Sequence, residues 1–457
     1  MNFQVVRVIP FESTYTVPII QISEALAKKL KLPPTISLLE LQCSRNTISA
    51  PVVCIKGEDY TMRLDPTILH TLLLFEEEKK YLITYDSKRM RLLIGPVIGL
   101  LTEITSKEEN IDLKSIQAYS IELANYSEEI GAIFYVFSVP ENWSKPQIEG
   151  YFFENNVWNK AILPFPQVIH NRLHKRTNEK RQLFQQFSKQ LQDWNIPYFN
   201  DHFLDKWTVY DQLKEAEHLQ PYLPETILYS KDVLKDWLDK YPSLFLKPIN
   251  GSQGKQIFKV CKLGEGFSLS YSSIQQEVST TYSTFTELYK RLSSHIKKKR
   301  YILQQGLELF DLEGRPVDFR YLCHRGENNR WRVTSSTARA SKSGHFVSNI
   351  AQGGEMLSVS KVLRTKLEKE ELAHLRQHLK ELALEVANEV GMASEGIFGE
   401  LGIDLAIDQS GRPWIIEVNT KPSKNLDSMS RSSSIRPSAK AIILYCLYLI
   451  NENVKEA

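Results

Sequence analysis

The chain has 457 residues, 42% of them hydrophobic and 24% charged, enough for a substantial core and for about three domains of the usual size. Its net charge of +3, with no sustained basic tract beyond HIKKKR (295–300), gives a general nucleic-acid role little electrostatic support, and that run reads as a solvated helix end. Five cysteines (Cys43, Cys54, Cys261, Cys323, Cys446) lack CxxC spacing, and the sequence has neither a signal-type opening nor an apolar run of membrane-spanning length; a soluble protein with reduced thiols and no zinc site is expected.

Residues 18–98 carry a weak internal repeat. PIIQISEALAKKLKL and YTMRLDPTILHTLLL superimpose at an offset of 42, matching Ile20 with Met62, Ile22 with Leu64, Leu30 with Leu72 and Leu32 with Leu74. Each half reads as a strand, a short helix opened by Ser23 or Asp65, and further strands such as KKYLITYD and RMRLLIG. The repeat predicts a small β-rich barrel or sandwich with pseudo-twofold symmetry, without revealing whether it docks a substrate or is purely structural. From about residue 95 short apolar runs (GPVIGLL, GAIFYVFSV, KAILPFPQVIHNRL, IPYFN) alternate with polar, helical segments, which predicts a parallel α/β domain. RTNEKRQLFQQFSKQLQDW (176–194) has helical periodicity.

The segments that carry chemistry follow residue 203. In LFLKPINGSQGKQI (244–257) an apolar strand delivers Lys247 and then a tight loop with Gly251, Ser252 and Gly254, whose small residues let backbone N–H groups approach phosphate oxygens. It is not the usual P-loop, since Gln256 follows Lys255 where Ser or Thr is needed; a plain hairpin turn is the other reading. RYILQQGLELFDLEGRPVDFRYLC (300–323) reads as two strands around a short connection, where Gln304 and the backbone near Leu307 can meet an adenine edge or simply bend the chain. WRVTSSTARASKSGHFVSNIAQGGE (331–355) puts Arg339 at a strand end before a polar, Gly-rich loop holding Asn349, and an arginine there is either a brace for a transferring phosphoryl group or a surface ion-pairing residue.

His374 and His378 stand four apart on a charged amphipathic helix with no intervening HExxH glutamate, the pattern of a solvated face. GIDLAIDQSGRPWIIEVNTKPS (402–423) then reads as two strands around a turn at Gln409, Ser410 and Gly411. Glu417 and Asn419 fall on one face, and Asp404 is expected opposite Ile415, diagonal to Glu417. Three oxygen ligands of this kind suit Mg²⁺, although acids on a strand also serve as a polar solvent face. Arg431 and Arg436, just beyond, are weak candidates to meet an anionic substrate.

Taken in order, the strand lysine with its Gly/Ser loop, QQGLEL, the arginine before FVSNIAQGG and the GIDLAID…WIIEVNTKP hairpin resemble the ATP-grasp superfamily over roughly residues 200–450. Within it, GPVIGLL, PQVIHNRL, DKWTVY and LPET resemble the YheC/YheD-type endospore coat-associated proteins. The resemblance implies an α+β multidomain chain: a β-rich module over 1–100, an α/β pre-ATP-grasp domain over 101–200 and an ATP-grasp domain over 201–457. It implies ATP held by Lys206, Lys247, the Gly251, Ser252 and Gly254 loop, Gln304, Leu307 and Asn349, with Mg²⁺ on Asp404, Glu417 and Asn419 and Arg339 facing the transferred phosphoryl. Gln304 stands where many members carry an acid. The implied activity is an ADP-forming carboxylate–amine ligation through an acyl phosphate, with carboxylate and amine substrates that include peptides or proteins. Spore coat proteins are the implied partners, and the mother-cell cytoplasm or the endospore coat is the implied location. The alternative is a coat protein that binds nucleotide without turnover.

Overall fold

The computed structural model describes residues 3–13, 15–107, 110–251, 254–272, 277–296, 299–342, 354–424 and 435–456. Seven strands close an N-terminal barrel in the order Gln4–Pro10, Thr61–Leu64, Ile20–Ser23, Asn46–Ile55, Leu38–Cys43, Arg91–Ile94, Lys79–Asp86. The repeat lies in this barrel: Gln4–Pro10 runs parallel to Thr61–Leu64, Asn46–Ile55 runs parallel to Ile20–Ser23, and the two inner strands meet antiparallel with Ile20 against Leu64 and Ile22 against Met62. Each half carries one helix, Glu24–Leu30 or Pro66–Leu72, opened by Ser23 accepting from the Leu26 N–H and by Asp65 accepting from the Thr67 N–H. Arg91–Ile94 is the strand that bridges Leu38–Cys43 and Lys79–Asp86 and so closes the cylinder.

The second sheet has the order Val157–Pro164, Gln147–Glu154, Ile133–Phe137, Val97–Leu101, Val168–Asn171, Tyr198–Phe199. Its last four strands are parallel. Val97–Leu101 is buried at every position, as its unbroken apolar run requires in a sheet covered on both faces. KAILP, expected among the parallel runs, belongs instead to an antiparallel hairpin with Gln147–Glu154. The cause is local: Asn155 and Asn156 form the two-residue turn with φ of 51° and 63°, the left-handed pair that a tight hairpin needs and asparagine tolerates. From Val97–Leu101 the chain crosses to Ile133–Phe137 on one side and later to Val168–Asn171 on the other, so the strand order reverses there. Arg172, which follows a parallel strand, reaches the C-terminal part at Glu400 and the Pro422 carbonyl, while its own carbonyl accepts from the Thr102 hydroxyl.

Two further sheets build that part. One has the order Thr226–Leu228, Tyr301–Gln305, Ser243–Pro248, Phe258–Leu263, Gly266–Ser272, Glu277–Tyr282, and helices Lys231–Lys240 and Phe285–Ile296 bury Leu234, Leu238, Leu288 and Leu292 against it. The other has the order Glu355–Leu357, Trp331–Ala340, Arg315–Arg325, Glu400–Ile407, Pro413–Asn419. The long helix Lys369–Ala393 covers it with Leu379, Ala383, Val386 and Val390, spaced three and four apart on one stripe. The last helix, Pro437–Glu456, returns to pack on helix Gln117–Ile130 of the second unit, so both ends of the C-terminal part are anchored to the α/β sheet. Among the described residues no helix is long and apolar enough to cross a membrane.

Candidate active site

The hairpin of Glu400–Ile407 and Pro413–Asn419 closes at Asp408, whose carboxylate accepts from the Ser410 and Arg412 N–H groups at 2.9 and 3.1 Å. Its register differs from the expected one. Asp404 lies directly opposite Glu417, Leu405 opposite Ile415, and Ile416 is the extra residue of a β-bulge between those pairs. The expected pairing of Asp404 with Ile415 is already one residue off at the turn, where Ile407 pairs with Pro413 and Leu405 with Ile415; an unbroken ladder would then set Asp404 against Ile416, and the bulge brings Glu417 there instead while Ile415 stays buried. Gly402 pairs with Asn419, which puts the amide beside the same carboxylate, its Nδ2 3.4 Å from Asp404 Oδ2.

On the other side of Asp404 runs Arg315–Arg325, with Arg320 in register against it. Arg320 grips Asp404 with Nε and, at 2.7 Å, with Nη2, while Arg339 reaches the same Oδ2 at 3.0 Å. Arg339 in turn holds Asp318 through two 2.6 Å bonds, so it is a buried, bidentate ion-pairing residue rather than a surface one. Burial alone raises the Asp404 pKa, but the two guanidinium groups outweigh it and hold the carboxyl below its ordinary range. Burial likewise disfavours the Arg339 cation, and Asp318 and Asp404 more than restore it.

Lys206 is the first residue of helix Lys206–Glu215, placed there by the Asp205 N-cap. Its Nζ spans two elements, donating to the Gly251 carbonyl at 2.9 Å and to Glu417 Oε1 at 2.7 Å. Gly251 has no substitute at this position, because a Cβ there would sit 2.4 Å from the Pro248 ring. Gly254 follows with φ of 66°, a left-handed turn position. Lys247 donates to Gln304 Oε1, and Gln304 Nε2 donates to the Thr226 hydroxyl at 2.9 Å. Burial lowers the Lys247 pKa to about 8. Gln304 is therefore buried and engaged at both ends of its amide, whereas Leu307 is half-buried in the connection beyond it. Ser252 and Asn349 lie outside the described residues.

Asp318, Arg320 and Arg176 escape the motif reading. Alternation in RPVDFRYLC puts Asp318 and Arg320 on one strand face, a signal present in the sequence. Arg176 comes from the α/β unit and donates to Asn250 Oδ1 at 3.0 Å and to the Leu204 carbonyl at 2.7 Å, beside the glycine loop; only the fold brings it there. His374 and His378 stay on the outer part of the long helix, His378 meeting the Tyr222 hydroxyl at 3.0 Å, and the described residues hold no metal-type cluster of His, Cys, Asp and Glu. Arg436 is committed to Glu122 at 2.7 Å, and Arg431 lies outside the described residues.

The donor set fits a hard divalent cation. Two carboxylates face each other across adjacent strands with a carboxamide at the next same-face position, and no sulfur or imidazole is among them. As they stand, Arg320, Arg339 and Lys206 face the charges of Asp404, Glu417 and Asp318.

The family model for YheC/D-like ATP-grasp proteins matches residues 195–449. Endospore coat-associated protein YheD of Bacillus subtilis (strain 168) is 27% identical over 374 residues, covering 81% of each chain. Endospore coat-associated protein YheC of the same strain is 24% identical over 319 residues, covering 67% of this chain and 85% of that one. Among solved structures, the D-alanine-D-alanine ligase from Coxiella burnetii aligns with 12% identity and a TM-score of 0.46, covering 79% of this chain and 96% of that one.

Proposed function

Because the chain belongs to the YheC/D-like ATP-grasp family, we propose that it is an ATP-dependent, ADP-forming carboxylate–amine ligase that serves the spore coat and takes a peptide or protein acceptor. The observation that carries the reading is the single contact of Lys206 with both the Gly251 carbonyl and Glu417, which ties a phosphate-type glycine loop to a metal-type hairpin. Lys206 exchanges these partners for phosphate oxygens when nucleotide enters, and Lys247 supplies a second positive charge from the neighbouring strand. Asp404, Glu417 and Asn419 would hold Mg²⁺, which when bound neutralises charge on the nucleotide phosphates. Glu417, released by Lys206, and Asn419 are the ligands free to turn towards it, while Arg320 and Arg339 fix Asp404.

In this reading a substrate carboxylate oxygen attacks the γ-phosphorus, the bond to ADP breaks, and the amine then attacks the acyl carbon, losing a proton and expelling phosphate. Arg320 and Arg339 provide fixed positive charge beside the developing phosphoryl charge, so the side chains position and neutralise rather than form covalent bonds. The association with the spore coat is supported by the names of the two relatives. ADP release from Mg·ATP, measured with amino-acid, peptide and spore-extract acceptors and an Asp404→Asn control, tests the proposal. Acceptor-dependent ADP that vanishes in the control is expected; tight ATP binding without ADP from any pool would leave a nucleotide-binding coat protein instead.

A further inference from the structure

The hairpin is closed at one end by its turn, and at the other end by a residue of the α/β sheet. Asn200, fully buried and following the edge strand Tyr198–Phe199, places its amide across the two strands just beyond the Gly402 and Asn419 pair. Its Oδ1 accepts from the Gly399 and Glu400 N–H groups, both at 3.1 Å. Its Nδ2 donates to the Glu400 carbonyl at 2.8 Å and to the Thr420 carbonyl at 2.5 Å. All four bonds available to a carboxamide are thus spent on backbone, two of acceptor and two of donor type. No other side chain of that size offers both. The Asn200 backbone is left-handed, with φ of 52°, a conformation asparagine adopts more readily than most residues.

The links continue along the segment that leaves the hairpin. Lys421, buried under the Phe203 ring, is held by Glu179, and Glu179 is held by Asn171 at 3.0 Å. Arg172 donates to the Pro422 carbonyl at 2.9 Å and reaches Glu400 at 2.5 Å. Asn171, Arg172 and Asn200 directly follow or end parallel strands of the α/β sheet, at their carboxyl ends. Three consecutive residues after Asn419 are therefore fixed by the α/β unit rather than by the sheet that contains the hairpin.

We propose that Asn200 is a positioning residue for the metal hairpin, and that the α/β sheet, through Asn200, Glu179 and Arg172, sets the spacing of the Asp404, Glu417 and Asn419 oxygens. The inference rests on the metal assignment of the proposed function. Outer groups that orient ligands of a bound metal typically contribute about 10–100-fold to its affinity, and Asn200 reaches both ligand strands at once. A substrate seated at the carboxyl ends of the parallel strands would share these residues with the hairpin, which links acceptor binding to metal binding.

Calorimetric binding of ADP to the full chain, repeated over a series of Mg²⁺ concentrations and in EDTA, separates the possibilities. Asn200→Asp keeps the two acceptor bonds and loses both donor bonds; the Mg²⁺ needed for half-maximal enhancement of ADP binding is expected to rise about tenfold, with metal-free ADP affinity within about twofold of the parent. Glu179→Gln, which keeps a polar partner for Asn171, is expected to raise it about threefold and serves if Asn200→Asp does not fold. Parallel loss of metal-free and metal-dependent binding in Glu179→Gln would reduce the role to general structure and overturn the inference. Unchanged Mg²⁺ dependence in the variants, with a clear dependence in the parent, would overturn the inference alone. No Mg²⁺ dependence in the parent would remove the metal assignment and the inference with it.

Discussion

Two buried carboxylates lie four residues apart on one face of the strand Glu400–Ile407, and each is gripped by two cations, yet their surroundings are opposite in kind. Asp404 meets Arg320 and Arg339 beside Asn419 and Glu417, and Glu417 in turn is held by Lys206. Glu400 is fully enclosed, with Arg172 and Lys424 on its two oxygens and the rings of His170 and His324 each 3.3 Å away. Both carboxyls are held below the ordinary range against the effect of burial, Glu400 well below it, so charge pairing alone does not mark a functional site. What separates them is whether the partners can be exchanged. Around Glu400 the partners come from the α/β sheet, the neighbouring strand and the segment after the hairpin, and each is itself buried; around Asp404 and Glu417, Lys206 and Arg320 retain solvent contact.

Glu400→Gln should have the largest effect on stability. The change leaves the Arg172 and Lys424 cations buried opposite a neutral amide, for which a loss of about 3–5 kcal/mol is expected in denaturant unfolding. Asp404→Asn should lose less, about 1–3 kcal/mol, because Arg339 keeps its bidentate bond to Asp318 and Arg320 can turn to water. Equal losses at the two positions would break the distinction between a locked and an exchangeable carboxylate.

Acid should reach the Glu400 cluster next. Burial lowers the His170 and His324 pKa values from 6.5 to about 4, despite the nearby carboxylate. Between those values the unfolded chain binds protons that the folded chain does not, so stability is expected to fall by a few kcal/mol as pH drops from 6.5 towards 4. Replacing both rings with phenylalanine should flatten that decline over the same window; an unaltered slope would show that other groups carry it.

At the Asp404 end the expected effects are on ligands. Asp404→Asn should weaken Mg²⁺-dependent nucleotide binding about tenfold or more while metal-free binding changes little. Arg339→Ala should suppress turnover by about 100-fold and nucleotide affinity only a few-fold, with some loss of stability from the lost bidentate pair with Asp318. Equal loss of turnover and affinity would argue against a role at the reacting phosphoryl.

The same contrast sets how much the sequence reveals. The hairpin is legible because Asp404, Glu417 and Asn419, its candidate ligands, are close in the chain and its turn is built from Gln409, Ser410 and Gly411. The barrel repeat is legible because Ser23 and Asp65 mark equivalent helix starts with local chemistry. The bulge at Ile416 is not, since alternation from the turn carries no sign of an inserted residue and only packing of Ile415 demands it. Glu400, Asn200 and Arg172 are also out of reach: each side chain is unremarkable in its own segment, and the contacts that join Asn200 and Arg172 to Glu400 span 200 or more residues of chain. The candidate hairpin is readable while the contacts that tie it to the α/β unit are not, because one is a local pattern and the other a product of domain packing.

Lys247 carries the smallest expected effect and the one that best tests exchangeability, because its two consequences have opposite signs. Its pKa falls from 10.5 to about 8 through burial, with Lys206 adding repulsion and Glu417 partly offsetting it. Between about 8 and 10.5 the unfolded chain keeps a proton that the folded chain releases, so this residue makes stability rise with pH across that window. The charged form is the stronger phosphate ligand but the neutral amine still donates a hydrogen bond, so nucleotide affinity should fall about fivefold between pH 7 and 9.5 as the proton leaves. Lys247→Met removes both slopes at once. It should bind nucleotide more weakly at pH 7, lose the alkaline decline, and show a flatter stability curve above pH 8 than the parent. A variant that kept the decline in affinity would assign it to Lys206 or to the nucleotide, and would leave Lys247 as a buried partner of Gln304 rather than a phosphate ligand.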